Sequence, residues 1–87
     1  MKIKDGFVLR EIAGSYIVVA VGDAVKSFNG VITLNQTGAF LWKYLSEGCD
    51  ENALLKALLD EYDVQEDIAK RDIELVITKL KKANLLV

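Results

Sequence analysis

The chain has 87 residues, a length that suits one domain, since most domains run to roughly 100–150 residues. It is 52% hydrophobic and 28% charged and has no proline, which is enough apolar side chain for a packed core and too little polar bias for disorder. It has no histidine and a single cysteine, Cys49. That rules out an intrachain disulfide and removes the commonest general base and the usual zinc and iron–sulfur ligand sets.

A net charge of −2 gives no attraction to a phosphate backbone, and no glycine-rich phosphate loop is present. The longest aliphatic run, Ile17 to Val21, falls far short of the roughly 20 residues a bilayer span needs. No apolar run of signal-peptide length follows Met1. The expectation is a soluble, cytoplasmic protein, a single domain over residues 1–87, with no metal, cofactor or membrane partner. Any chemistry is expected on a partner.

Phe7 to Ile12 and Tyr16 to Val21 are rich in β-branched and aromatic residues, so both are predicted strands, with a hairpin turn at Ala13-Gly14-Ser15. Gly22-Asp23 breaks the pattern. The pattern leaves Ala24 to Phe28 open between strand and loop. Asn29-Gly30 suits a turn with positive φ, and Val31 to Leu34 follows as a third short strand, placed on the outside of a meander.

Three helices are predicted next. Asn35 caps the first, which ends near Gly48. Lys43 is the one charge between Gly38 and Leu45, so that helix should be buried on most of its circumference, Trp42 included. Asp50 caps the second, whose apolar face is Leu54, Leu55, Leu58, Leu59 and Tyr62, with Cys49 packing on Leu54 as a hydrophobic staple. Asp63 caps the third, with Glu66 three residues on as in a capping box. In that helix Ala69, Ile73, Val76, Leu80 and Ala83 form one stripe with Ile77 beside it. Ile68 and Leu75 lie about 120° off its centre at 100° per residue. The outline is an α+β fold, winged helix-turn-helix-like, with an N-terminal antiparallel meander followed by three α-helices.

The run from Phe28 to Trp42, with its Leu34-Asn35, Thr37-Gly38 and Trp42, resembles the strand-to-helix signature of PqqD-like proteins. Asp72 with Val76, Leu80 and the closing Leu85-Leu86 resembles that family's last helix and terminal apolar pair. The sequence departs from the family at Asn84, where a glycine is usual. Asparagine is the next most tolerant residue for a left-handed C-cap. It also lacks the Cys-Asp-Gly step of the member dedicated to pyrroloquinoline quinone. The resemblance implies a recognition element for ribosomally made, later modified peptides. Such an element binds the precursor's leader as a strand added to the third strand and presents it to a modifying enzyme, often a radical SAM protein.

Physical chemistry bears on the same place. Exposed strand edges are normally blunted by charge or proline, and Val31 to Leu34 has neither. The expected binding residues are Val31, Ile32 and Thr33 on the strand and Ile68, Asp72, Leu75 and Lys79 on one flank of the third helix, with Asp72 and Lys79 meeting charges on the leader. Most of these residues also have plainer roles: Asp72 as a solvated charge, Ile68 and Leu75 as packing on the first helix, Lys79, Lys81 and Lys82 as favourable charges at a helix C-terminus. The same edge admits a strand-paired homodimer.

Two other functions compete. A winged helix suggests DNA binding, but the second helix carries Glu51, Asp60 and Glu61 against Lys56 where a reading helix needs basic and amide side chains, so nucleic acid is not an expected partner. A small docking or structural subunit for a folded partner is the other alternative. It differs from leader binding in whether an isolated unfolded peptide suffices as ligand.

Overall fold

The computed structural model describes residues 1–28 and 30–87. The elements run β1 (Phe7–Ile12), β2 (Ser15–Ala20), a 3₁₀ turn (Gly22–Lys26), β3 (Ile32–Leu34), α1 (Gln36–Glu47), α2 (Glu51–Glu61) and α3 (Glu66–Lys82). The three strands form one antiparallel sheet in the order β1-β2-β3, so the strand before the helices lies on an edge, as expected. Ala24 to Phe28 is largely the 3₁₀ turn rather than a strand. Phe28 turns inward to stack edge-on against Phe7, ring centres 5.2 Å apart. Asn29, half of the expected Asn29-Gly30 turn, lies outside the described residues; Gly30 has φ 129°.

The hairpin departs from the expected three-residue turn by one position. β2 begins at Ser15, and Ile12 pairs with Ser15 across the two-residue loop Ala13-Gly14. Both loop residues have positive φ, 51° and 81°, as a two-residue turn matched to strand twist demands.

The core gathers one face of the sheet and the inner sides of all three helices. Val18, Leu41, Leu45, Leu54, Ala69, Leu80 and Leu85 are fully buried, and Trp42 is nearly so. Truncating any of the buried leucines to alanine costs about 2–5 kcal/mol by the usual cavity penalty. Asn35 Oδ1 accepts from the Gly38 N–H at 2.8 Å and Asp50 Oδ1 from the Ala53 N–H at 2.8 Å. Both predicted caps therefore form.

The third does not. α3 starts at Glu66 behind Gln65, with no side-chain cap, because Asp63 sits inside a tight turn in which the Val64 N–H donates to the Tyr62 carbonyl. Glu66 and Asp67 instead place their charges in the first turn, where the helix dipole favours them.

At the other end of α3 the family's usual glycine is replaced without loss of the turn. Asn84 has φ 62°, the Leu85 N–H donates to the Leu80 carbonyl and the Asn84 N–H to the Lys81 carbonyl. That pair of bonds is the Schellman closure. It delivers Leu85 into the core and leaves Leu86 to pair with Ile3. The segment Met1–Lys4 is thereby laced to the end of α1 and to the residues after α3, through Ile3 N–H to Leu45 O and Lys4 N–H to Leu85 O.

Candidate functional site

Which way the β3 backbone points follows from the hairpin. In an antiparallel pair, hydrogen-bonded and non-hydrogen-bonded residue pairs alternate. The pair closing a two-residue loop, Ile12 with Ser15, is the bonded kind, and the Val21 N–H donating to Gly6 O at 2.7 Å falls in the same phase. Ile17 therefore spends its main-chain groups on β1, and Tyr16 and Val18 spend theirs on β3. Across the β2–β3 register, Tyr16 faces Leu34, Ile17 faces Thr33 and Val18 faces Ile32. Ile32 and Leu34 are thus tied into the ladder, and both the N–H and the C=O of Thr33 point out of the sheet along its free edge.

A side chain from α3 confirms that direction independently. Lys79 Nζ donates to the Thr33 carbonyl at 2.8 Å. The edge strand and the last helix meet at that point, and between them runs a hollow of about 330 Å³ lined by Leu34, Asn35, Leu75, Val76 and Lys79. Gly38 packs behind two of these residues, Leu34 and Asn35. A Cβ there would come within 3.2 Å of Leu34 Cβ and 3.3 Å of Asn35 Oδ1. The glycine therefore lets the first turn of α1 lie close against the end of β3 and its N–H reach the cap.

The expected site residues do not all fall in one place. Thr33, Leu75 and Lys79 are brought together: Thr33 by its outward main chain, Leu75 by a side chain 64% exposed, Lys79 by its bond to the edge. Val31 stands just before β3 and is 65% exposed, next in phase with Thr33. Ile68 and Asp72 share the stripe of Leu75 and Lys79, since steps of four, three and four residues return to nearly the same helix face. They lie toward the start of α3, with Ile68 about 16 Å from Lys79 at 1.5 Å per residue.

Ile32 is placed differently. Its side chain is 9% exposed in the core and its main chain faces β2, so it holds the edge in place. Two contributors went unforeseen. Leu34, though only 4% exposed, lines the hollow from the core side. Val76, assigned to the core stripe, is half-buried between that stripe and the Leu75 flank; its angular position was the available signal.

Charge around the hollow is simple. Lys70 with Glu66, at 3.6 Å, is the one ion pair among the described residues, so Lys79 has no carboxylate partner there. Burial pushes the Cys49 thiol above its ordinary value, against the pull of the Met1 ammonium. Among the described residues no cluster of His, Cys, Asp or Glu could hold a metal ion, and no helix is long and apolar enough to cross a membrane.

Residues 8–86 match the family model for coenzyme PQQ synthesis protein D, PqqD. The chain belongs to the PqqD family. Two solved structures share its fold. One is TbiB1 in complex with the TbiA(beta) leader peptide, 24% identical, with a TM-score of 0.77 over 99% of this chain and 94% of that one. The other is lasso peptide synthetase B1 complexed with the leader peptide, 21% identical, with a TM-score of 0.73 over 97% and 93%. No curated protein sequence shows significant similarity.

Proposed function

We propose that this PqqD-family chain is a non-catalytic peptide-binding module of the cytoplasm. It takes the leader of a ribosomally made precursor as a fourth strand on β3 and presents the remainder to a modifying enzyme, such as a radical SAM protein. The observation that carries this is the outward Thr33 main chain, bonded by Lys79, next to a hollow walled by Leu34, Leu75 and Val76. Strand addition draws affinity from main-chain hydrogen bonds and specificity from pockets for alternate side chains, and both elements are side by side here. Membership of the PqqD family supports the reading, and so do the two fold relatives, each solved with a leader peptide bound.

On this reading the ligand's residues take different roles. A residue paired with Thr33 shares its face of the sheet and points to solvent, and its two neighbours point toward α3. One of those neighbours is an apolar side chain seated on Leu34, Leu75 and Val76. β3 has three residues, so main-chain pairing is short, and a leader reaching Ile68 and Asp72 needs about five extended residues at ~3.3 Å each.

The test is a titration of isotope-labelled protein with the leader half of a precursor encoded nearby, following amide shifts. Shifts at Val31, Thr33 and the Leu75–Lys79 stretch are expected. A peptide that leaves these amides unmoved well above micromolar protein concentration is not this protein's ligand. If only a folded partner moves them, the module is a docking subunit.

A further inference from the structure

The Lys79 ammonium occupies the acceptor that an added strand needs. Its bond to Thr33 O is 2.8 Å long and solvent-exposed, so it can be exchanged, and a pairing strand's N–H would take over that carbonyl. No acidic residue of its own helix then stands one turn away to receive the released ammonium. The acidic residues of α3 are Glu66, Asp67, Asp72 and Glu74, and none stands three or four positions from Lys79, where helix geometry would let them meet. The adjacent hollow on α3 adds Arg71, Lys81 and Lys82 against Glu51 and Glu74. The local balance is therefore positive, although the whole chain is net negative.

From this placement we infer that Lys79 reads a carboxylate on the bound peptide. The ligand carries an acidic residue next to the one paired with Thr33, and Lys79 turns from the β3 carbonyl to that carboxylate as the strand docks. The two groove-facing positions that flank the Thr33 partner are two residues apart. One takes the carboxylate beside Lys79 and the other the apolar side chain on Leu34, Leu75 and Val76. The peptide class is thus an extended segment with an acidic and an apolar residue at a spacing of two. This rests on the strand-addition reading, to which it adds the chemistry of one position. It also gives Lys79 a second task in the empty protein: a charged cap on an otherwise open edge, of the kind natural sheets use against unwanted pairing.

A selection from a random twelve-residue peptide library displayed on phage, run on the wild-type protein and on Lys79→Glu in parallel, tests this. Lys79 is exposed, so the variant should fold, and its thermal melt checks that. Wild type is expected to enrich peptides with Asp or Glu two residues from an apolar residue, and Lys79→Glu to enrich Lys or Arg at the same place. For the best wild-type peptide, changing its acidic residue to the amide should weaken binding about two- to fivefold, the size of an exposed ion pair, with the difference gone in Lys79→Met and at high salt.

If both proteins enrich peptides that shift the Thr33 and Leu75 amides but with the same side-chain preference, strand addition stands and the role of Lys79 falls. If neither enriches any peptide that shifts those amides, both readings fall together.

Discussion

Proline at position 33 removes a main-chain donor from the free edge and leaves the β2–β3 ladder whole. Proline is tolerated on edge strands where its missing N–H would face solvent, and the residue before it is pushed toward the extended region that Ile32 already occupies. Thr33→Pro should therefore cost the fold no more than about 1 kcal/mol, a melting shift within about 4–8 °C for a domain this size. For binding it deletes a hydrogen bond worth about 0.5–1.5 kcal/mol, and the ring crowds the approaching strand. At 1.4 kcal/mol per decade, leader affinity should fall about tenfold or more.

The neighbouring substitution should do the opposite. Ile32→Pro strips a ladder donor and leaves a β2 carbonyl buried without a partner, about 1–3 kcal/mol. It also removes a core side chain that is 9% exposed, worth about 2–5 kcal/mol on truncation. The melting point should drop by about 12 °C or more, with Ile32→Ala isolating the side-chain share. Thermal melts and fluorescence anisotropy with a labelled leader read both effects. Equal stability losses at the two positions, or undiminished affinity in Thr33→Pro, would refute the assigned direction of the β3 backbone.

Leu75→Asp places a charge on an exposed, apolar wall of the hollow, so it should leave chemical denaturation within about 0.5 kcal/mol of wild type while weakening leader binding at least tenfold. Asn84→Val, at φ 62°, should cost about 1–2 kcal/mol for a branched residue in left-handed backbone, whereas Asn84→Gly should be close to neutral in the same urea titration. Cys49 should be alkylated more slowly in folded than in urea-unfolded protein near pH 8. Burial raises its folded-state pKa, so its contribution to stability is fully present below the thiol's unfolded pKa and lost as pH climbs through the folded one.

Most of the fold could be read from the sequence because its determinants are local. Asn35 and Asp50 cap the helices that they precede, and Asn84 takes the left-handed turn that glycine would have taken. Asp63 looked the same in sequence but was captured by the turn after Tyr62, a competition between two short-range bonds that spacing alone does not decide. The 3₁₀ turn at Gly22–Lys26 was ambiguous for a similar reason: Ala24, Val25 and Phe28 carry no period of two or of 3.6.

The site was legible as a place more than as a mechanism. Its stripe on α3 follows from helix angle, yet the direction of the Thr33 main chain depends on whether the Ala13 loop holds two residues or three. A one-residue difference in that loop moves β2 against β1 by one step and changes which main-chain groups face each strand. The Lys79 bond to Thr33 joins residues 46 positions apart and has no sequence signature.

The β3 edge also has an abrupt end. Leu34 is followed directly by Asn35, whose side chain is committed to starting α1, so the ladder cannot lengthen by sliding into the helix. Main-chain pairing there covers about 10 Å of a peptide's backbone and stops at both ends of β3. This is a grip on a handle, not a sheath around a chain. A short grip leaves the distant end of the peptide untethered and uncovered, and it can be released in one step, because breaking so few main-chain bonds needs no prior unzipping along a longer strand.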